Sequence, residues 1–341
     1  MIDVAEHRQA AIRALDLTKI YGDRIVVDHL NFSIYAGELY TLLGDNGAGK
    51  TTTLNMLTTL LKPTEGRFFI CGNDGIADSE KTKGVFGVVS QDVSIYQELS
   101  AFENLRFIAD LYRIPRKQAS ERIELLLEQG GLTERAHDIA GSFSGGMQRK
   151  LSIAIALLHK PKVIFMDEPT VGLDPQSRRQ IWTQLKQLRS EGVAILLTTH
   201  YLEEAELLSD RIGIIRRGKL VAEGTIDELR YKIQGMRSVA VRITRDITEE
   251  ELTIKLEKLK SKFSVEVRID TLRHTVSFTP PKDRQLVYTL NQLLSWLEQE
   301  NIPFSRFATN EPNLEEVFLA VASKIDDLDQ ARLAEHDLDE D

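Results

Sequence analysis

A chain of 341 residues, 42% hydrophobic and 28% charged, has the length of one large or two medium domains and an ordinary globular composition. The net charge of −9 is uneven: residues 325–341 carry −7, which leaves −2 for the rest and gives no electrostatic reason to expect nucleic-acid binding. Cys71 is the single cysteine, which excludes an intrachain disulfide and a cysteine-rich metal site.

The N-terminus, residues 1–10, is polar and lacks the apolar core of a secretory signal. Elsewhere the apolar runs are far shorter than the ~18 residues that a membrane span requires. We therefore expect a cytosolic protein that reaches a membrane only through a partner.

The first predicted strands cover residues 11–16 and 25–35, and Tyr21 lies between them. An aromatic side chain at this place either stacks on a nucleotide base or covers a strand edge. The apolar run 39–43 then predicts a buried strand, and residues 51–61 predict a helix.

Between that strand and that helix lies a glycine-rich stretch of the form G-x-x-x-x-G-K-[ST], made of Gly44, Asp45, Asn46, Gly47, Ala48, Gly49, Lys50, Thr51 and Thr52. Glycine lets the backbone wrap closely, so that N–H groups and the helix N-terminus can face a polyphosphate. Lys50 is placed to reach the β- and γ-phosphates, and the Thr51 hydroxyl to bind Mg²⁺. The strand and helix on either side are the context that this motif requires, so the stretch predicts a nucleotide site.

The next elements follow from apolar periodicity and turn residues: strands at 66–71 and 85–89, helices between 101 and 134 separated at Pro115, a turn at 142–146 and a helix at 147–158. They predict a helical subdomain of about residues 92–160 inside an α/β domain that spans 1–230.

A fully apolar strand at 162–166 ends in two acids, Asp167 and Glu168. The first can hold Mg²⁺ through water, and the second can orient and deprotonate an attacking water. A helix at 175–189, a strand at 193–198 that leads to His200, and a hairpin at 212–223 complete the domain. Strands that alternate with helices favour a mainly parallel sheet.

A second, smaller unit is predicted at 236–323. Its strands (238–244, 265–271, 275–279, 304–308) and helices (249–261, 284–300) follow the order β-α-β-β-α-β of the ferredoxin-like fold, and a last helix covers 314–323. The acidic tail, 324–341, is predicted to be disordered.

These motifs together resemble the nucleotide-binding subunits of ABC transporters over residues 11–228. The family's elements occur in its order: Tyr21 as the adenine-stacking aromatic, 44–52 as Walker A, Gln91 as the Q-loop, 143–147 as the signature, 163–168 as Walker B with the catalytic Glu168, 172–174 as the D-loop, and His200 as the switch histidine. The signature departs from the family at Met147, where the family has Gln. The resemblance implies a P-loop NTPase (ABC-type) domain that hydrolyses ATP with Mg²⁺.

The resemblance also implies a mechanism that one chain cannot complete. In the family two such domains pair head to tail and bury two ATP molecules between them. Ser144, Gly145 and Gly146 would donate to the γ-phosphate of the ATP held by the partner, and Asp174 would lie at the dimer seam. Within the same chain, Lys50 and His200 would contact the phosphates, and Thr51, Gln91 and Asp167 would supply the metal site.

Several segments narrow the class. The runs SGGMQR at 144–149 and DEPTVGLDP at 167–175, with EPNLEEVF at 311–318, are similar to exporters of the ABC-2 type, including drug-resistance and sodium-extrusion systems and the related ABCA transporters. This implies a separate membrane permease, a second copy of the chain as the expected dimer partner, and a place on the inner face of the cell membrane.

Three alternatives remain open from the sequence. A methionine-type amino-acid importer subunit also ends in a ferredoxin-like domain. A soluble ABC protein would need two nucleotide domains or a long insertion, whereas 94 positions separate Lys50 from Ser144. A module that binds ATP without hydrolysis is disfavoured by Glu168.

The candidate surface for the permease lies between Asp92 and Tyr112. Its apolar residues Ile95, Tyr96, Leu99 and Phe102 precede or begin the inserted helices. They either dock a membrane partner or pack inside the helical subdomain.

Overall fold

The computed structural model describes residues 9–232, 238–244, 251, 255–256, 266–270, 275–279, 286–310 and 313–321. The chain divides into two compact units, Met1–Ile226 and Asp227–Asp341. The predicted domain limits, 1–230 and 236–323, lie near this division and stay predictions about independent folding. The predicted tail at 324–341 lies outside the described residues.

The described part of the first unit, from residue 9 onward, has ten strands: β1 (Ala10–Tyr21), β2 (Arg24–Tyr35), β3 (Leu39–Leu43), β4 (Glu65–Ile70), β5 (Asn73–Asp74), β6 (Phe86–Val89), β7 (Val163–Asp167), β8 (Ala194–Thr199), β9 (Arg211–Arg216) and β10 (Lys219–Gly224). Its helices are α1 (Lys50–Leu57), α2 (Ser79–Lys83), α3 (Ala101–Leu111), α4 (Arg116–Gln129), α5 (Gly145–Leu157), α6 (Pro175–Ser190) and α7 (Leu202–Leu208), and α8 (Ile226–Lys232) follows them.

The central sheet has six strands in the order β10-β9-β3-β8-β7-β6. All its pairs are parallel except the β9–β10 hairpin. Every residue of β3, β7 and β8 is buried, which explains why these strands read as unbroken apolar runs. Because parallel strands end at one edge, the segments after β3, β6, β7 and β8 all meet there.

The N-terminal strands lie outside the mainly parallel sheet that the sequence predicted. They form a second sheet, β2-β1-β4-β5, in which all pairs are antiparallel. β1 and β2 fold back at Gly22, whose φ of +57° suits glycine, and each is twelve residues long, so the predicted strand at 11–16 was too short. Leu17 of this sheet and Leu42 and Phe165 of the central sheet share one apolar core.

The helical subdomain is built from α3, α4 and α5, as the periodicity predicts. Leu105, Ile123 and Leu151, one from each helix, are buried in the same apolar cluster. The first of these helices begins with a capping box: the Ser100 hydroxyl accepts from the backbone N–H of Glu103, whose carboxylate accepts from the N–H of Ser100. This cap fixes where the loop after Gln91 turns into helix.

One predicted helix is shorter than expected. α1 ends at Leu57 rather than near residue 61, because Thr59 has a left-handed φ of +62° and the Thr58 hydroxyl bonds back to the carbonyl of Leu54 at 2.9 Å. The short helices α2 and α7 were not predicted.

The second unit holds an antiparallel sheet, β12-β13-β11-β14, made of β11 (Ser238–Ile243), β12 (Glu266–Asp270), β13 (Thr275–Thr279) and β14 (Phe304–Asn310). The first strand lies between the third and the fourth, which is consistent with the predicted ferredoxin-like order. α9 (Leu286–Gln299) contributes Trp296 and Leu297 to a core with Val239 and Phe278. Residues 314–321 are helical, and most of the predicted helix at 249–261 lies outside the described residues.

No helix in the described part of the chain combines the length and the apolar character that crossing a membrane demands.

Candidate nucleotide-binding site

The loop between β3 and α1 can follow its path only with glycine at two positions. A Cβ on Gly44 would lie 2.3 Å from the carbonyl oxygen of Ile215. Gly49 has a φ of +108°, and a Cβ there would lie 2.8 Å from the carbonyl oxygen of Val26. The loop is therefore pressed against β2 and β9 while the N-terminus of α1 stays open on its other side.

A cavity of about 490 Å³ opens in front of this loop, lined by Arg24, Val26, Asn46, Gly47, Gly49, Lys50, Thr51, Thr52, Gln91, Glu168, Val171 and His200. Nine of these twelve are residues that the sequence predicted for the site. They come from four separate segments, which follow β3, β6, β7 and β8. The carboxyl edge of the parallel sheet is what brings them together.

Three charged or titratable side chains meet at the centre of the cavity. Lys50 Nζ lies 3.3 Å from Glu168 Oε1, and His200 Nδ1 lies 3.1 Å from the same oxygen, without the alignment of a hydrogen bond. The Lys50 ammonium also donates to the carbonyl oxygens of Gly44 and Asp45, at 2.8 and 3.1 Å. Lys50 is 4% exposed, so its charge is held by acceptors rather than by water.

The backbone of Glu168 is in the left-handed region, with a φ of +46°. Such a conformation costs a non-glycine residue about 1–3 kcal/mol and persists only where the surroundings impose it. Here the Glu168 N–H donates to the carbonyl of Thr198 at 3.0 Å, which ties the residue after β7 to the end of β8. The carboxylate thereby faces Lys50 and His200.

The three predicted metal ligands offer a hydroxyl, an amide and a carboxylate. Thr51 and Gln91 line the cavity. Asp167 is buried at the end of β7, where its carboxylate accepts a hydrogen bond from the Thr198 hydroxyl. Oxygen donors of this kind fit Mg²⁺, which keeps waters and shares substrate phosphates rather than requiring a full protein cage. Within the described residues no cluster of three or more His, Cys, Asp or Glu could hold a metal alone.

The segment that contains Gln91 is held by α5, the helix that begins at the signature. Arg149 of α5 is 3% exposed and donates to the carbonyl oxygens of Ser90 and Gln91, the latter at 2.6 Å. Burial lowers the pKa of Arg149, and the charges of Asp167 and Asp92 oppose that shift. The side chain of Gln91 is left free to line the cavity.

Four predicted site residues do not line the cavity but form a cluster of their own, called here the signature face: Ser144, Gly145, Gly146 and Asp174. Ser144 caps α5 by accepting from the N–H of Met147, and Asp174 caps α6 by accepting from the N–H and hydroxyl of Ser177, at 2.9 and 2.6 Å. A Cβ on Gly146 would lie 2.4 Å from the Ser177 hydroxyl oxygen. The two helix N-termini thus touch each other.

Tyr21 also lies outside the cavity lining. It ends β1, is 51% exposed, and has the Lys19 ammonium 5.1 Å from its ring centroid. Its strand partner Arg24 does line the cavity. The ring therefore lies at the turn of the β1–β2 hairpin, and β2 borders the cavity.

Sequence reasoning missed Arg24, Val26 and Val171 as lining residues. The first two line the cavity because β2 packs against the loop before α1, a contact between a strand and a distant loop that no motif marks. Val171 could have been found, since it lies between Glu168 and the predicted D-loop.

Comparison with known proteins gives a consistent result. A family model described as ABC transporter matches residues 27–171. The chain is 36% identical over 313 residues to the linearmycin resistance ATP-binding protein LnrL of Bacillus subtilis, covering 92% of this chain and 98% of that protein. It is 35% identical to the daunorubicin resistance ATP-binding protein DrrA3 of Streptomyces coeruleorubidus, covering 88% and 92%.

Solved structures of ATP-binding cassettes are similar to a large part of the chain. A structure described as the ATP binding subunit of an ABC transporter has a TM-score of 0.61 and 30% identity, covering 72% of this chain and 99% of that one. A dimeric ATP-binding cassette in a post-hydrolysis state with ADP and Pi has a TM-score of 0.58 and 28% identity, covering 63% and 98%.

Proposed function

The chain belongs to the ABC transporter family as an ATP-binding, ATP-hydrolysing subunit, and on that premise we propose that it powers export through a separate ABC-2 type membrane permease. The relatives that match along most of the chain carry drug-resistance names, and a further one, 42% identical over 220 residues, is a Nod factor export ATP-binding protein of Cupriavidus metallidurans. A methionine-type importer, the alternative left open by the sequence, gains no support from these relatives.

Hydrolysis is assigned to the group at the centre of the cavity. Glu168 would orient the attacking water and accept its proton, since it is the one carboxylate that lines the described cavity. Lys50 and His200, both beside Glu168 Oε1, would bind the phosphates of ATP and stabilise the charge that develops on them.

Thr51, Gln91 and Asp167 would hold Mg²⁺, the last through water because it is buried behind the cavity. The ion would neutralise phosphate charge. Tyr21, at the outer end of the hairpin, is assigned to the adenine base. The backbone N–H groups of residues 46–52 would surround the phosphates.

The signature face is assigned to a second ATP. Ser144 and Gly145 are exposed at the N-terminus of α5, and Asp174 is exposed at the start of α6. Donors at a helix N-terminus are suited to an anion, but here they lie apart from the chain's own cavity. A head-to-tail dimer of two copies would place them over the partner's nucleotide, and a structure among the similar cassettes that is described as dimeric supports the pairing of two copies.

The permease is proposed to dock beside Gln91, on the surface between Asp92 and Tyr112, which would hold the subunit at the inner face of the membrane. Of the apolar residues predicted there, Ile95 and Phe102 pack against the helical core, whereas Tyr96 is 48% exposed. Its ring meets that of Phe107, itself 45% exposed, edge to face at 4.9 Å. An exposed aromatic pair of this kind is suited to an interface.

The observation that carries the proposal is the position of Glu168 between Lys50 and His200 inside the cavity. Glu168→Gln should lower the kcat for ATP hydrolysis by about 100-fold or more, the usual contribution of a general base, while ATP binding is retained. Gel filtration at saturating ATP should then give a dimer.

Glu203→Gln is the matched control, because Glu203 is an exposed residue of α7 outside the cavity. A Glu168→Gln protein that hydrolyses ATP normally would contradict the assignment of the base. One that remains monomeric with ATP bound would contradict the paired arrangement.

A further inference from the structure

One buried carboxylate takes no part in the chemistry assigned above. Glu204 lies in the first turn of α7, four residues after His200, and is 1% exposed. A carboxylate removed from water needs donors, and these reveal what it is attached to.

Glu204 Oε1 accepts two hydrogen bonds from different segments. The Thr170 hydroxyl donates at 2.9 Å and the Trp182 Nε1–H at 3.1 Å. Thr170 is itself 1% exposed and follows Glu168 by two residues, and Trp182 is on α6, which begins after Asp174. One oxygen atom therefore joins the segment after Glu168, the segment after His200 and the helix after the D-loop.

We propose that Glu204 is a positioning residue for ATP hydrolysis, which holds the turn Glu168–Thr170 so that the Glu168 carboxylate stays beside Lys50 and His200. The inference rests on the proposed role of Glu168 as the base. Glu204 is buried and does not line the cavity, yet it would set the orientation of Glu168, which would face the attacking water.

Apart from the bond that the Glu168 N–H donates to the Thr198 carbonyl at 3.0 Å, the backbone hydrogen bonds of this turn are long, and the Leu173 N–H reaches the Thr170 carbonyl at 3.2 Å. Glu168 has the left-handed φ of +46°, and the Val171 N–H reaches the Glu168 carbonyl only at 3.3 Å. Strained backbone persists where neighbouring contacts impose it. The Thr170 hydroxyl donates to Glu204, and this side-chain contact holds the turn from outside the cavity lining, since neither residue lines the cavity.

A second set of contacts joins the same segments. Arg178 of α6 donates through Nε to the carbonyl of Leu173 at 3.0 Å, and its guanidinium lies 5.5 Å from the centroid of the Tyr201 ring. That ring lies 4.3 Å from the ring of His200. Helix α6 therefore contacts both the D-loop and the residue next to the switch histidine.

The test compares two threonines that are equally buried. Thr170→Val removes the donor to Glu204 with almost no change in shape, and we expect kcat to fall about 10-fold with KM for ATP within about 2-fold, because misplacement of a reacting group lowers turnover rather than binding. Thr82→Val is the control: Thr82 is 0% exposed and its hydroxyl donates to the Asp78 carbonyl at 2.9 Å, outside the cavity and away from Glu204. It should lower the melting temperature comparably and leave kcat unchanged.

Conservative replacement of the acid gives a second measurement. Glu204→Gln keeps an oxygen that can accept from Thr170 and Trp182, so kcat should stay within about 3-fold of wild type, whereas Glu204→Leu should lower it at least as much as Thr170→Val. Equal kcat losses in Thr170→Val and Thr82→Val, or no loss in either, would overturn the positioning role. Absence of ATPase activity in the wild-type protein, or normal activity in Glu168→Gln, would instead contradict the proposed function.

Discussion

The nucleotide cavity and the signature face carry the two halves of the proposed chemistry, and they differ in how completely their groups are paired. In the cavity, Lys50 and Glu168 are 4% and 8% exposed and contact each other. On the signature face, Ser144 and Asp174 are exposed, and each accepts hydrogen bonds within its own helix cap. Buried charges are expensive unless paired, so the charges in the cavity are compensated within the chain, whereas the exposed caps remain available to a partner.

The largest expected effect comes from separating the two halves. Ser144→Arg should reduce ATP turnover by about 100-fold, because a bulky cation replaces the cap of α5, while ATP binding in the chain's own cavity is retained. An equal mixture of Ser144→Arg and Glu168→Gln proteins should recover about a quarter of wild-type turnover, since random pairing gives half of the dimers one intact site. Steady-state ATPase assays of the mixture measure this.

Mixing Lys50→Ala with Glu168→Gln is the control, because both substitutions damage the same half and no pairing rebuilds a site. Recovery in that control, or none in the Ser144 mixture, would show that the signature face does not act across a dimer.

A smaller effect is expected at the proposed docking surface between Asp92 and Tyr112. This surface directly follows Gln91, which lines the cavity. Tyr96→Asp places a charge on the exposed aromatic pair and should weaken binding of the permease by about 30-fold, the effect of losing one interface anchor, with ATP affinity unchanged. Co-purification with a candidate ABC-2 type permease measures it. Tyr231→Asp, at an exposed tyrosine of α8, is the matched substitution, and equal losses in both would argue against this surface.

The smallest expected effect concerns the pKa values of two acids: Glu204, which is buried, and Asp174, which is exposed on the signature face. Burial raises the pKa of Glu204, against hydrogen bonds from Thr199, Trp182 and Thr170, whereas hydrogen bonds from Ser177 lower the pKa of Asp174. The folded state therefore holds the Glu204 proton to higher pH than the unfolded state. Relative to Glu204→Gln, the wild-type protein should lose unfolding free energy as pH rises above about 4.5, the ordinary value for Glu.

The Asp174→Asn comparison should have the opposite sign. The pKa of Asp174 is lowered on folding, so its carboxylate stabilises the wild-type protein above about pH 3.8. That contribution to the unfolding free energy is lost as the pH falls through the lowered pKa. Urea unfolding of the three proteins between pH 3 and 8 measures both differences. A parallel pH dependence for the two pairs would contradict the assigned environments.

The cavity could be predicted from the sequence because its residues follow apolar strands directly. β3 spans the residues predicted for it, and Gln91, Glu168 and His200 each come within two residues of the end of a buried strand. Parallel strands place such residues at one edge whatever the loops do. The local order of the chain was enough.

What the sequence did not predict depends on contacts between distant segments. The antiparallel sheet of β1, β2 and β4 forms because β1 pairs with strands on both sides, and its alternation is broken by register shifts. Glu204 lies on a seven-residue helix, too short to show a helical period. The proposed role of Glu204 depends on its contacts with Thr170 and Trp182, which are 34 and 22 positions away.

The contact between Gly146 and Ser177 has a consequence for how the protein can vary. The starts of α5 and α6 meet with no room for a methyl group, so neither can tilt without moving the other. The starts of α5 and α6 are therefore expected to move together as one unit. A larger residue at 146 would require a smaller one at 177, so exchanging either helix alone between homologous subunits should disturb this contact.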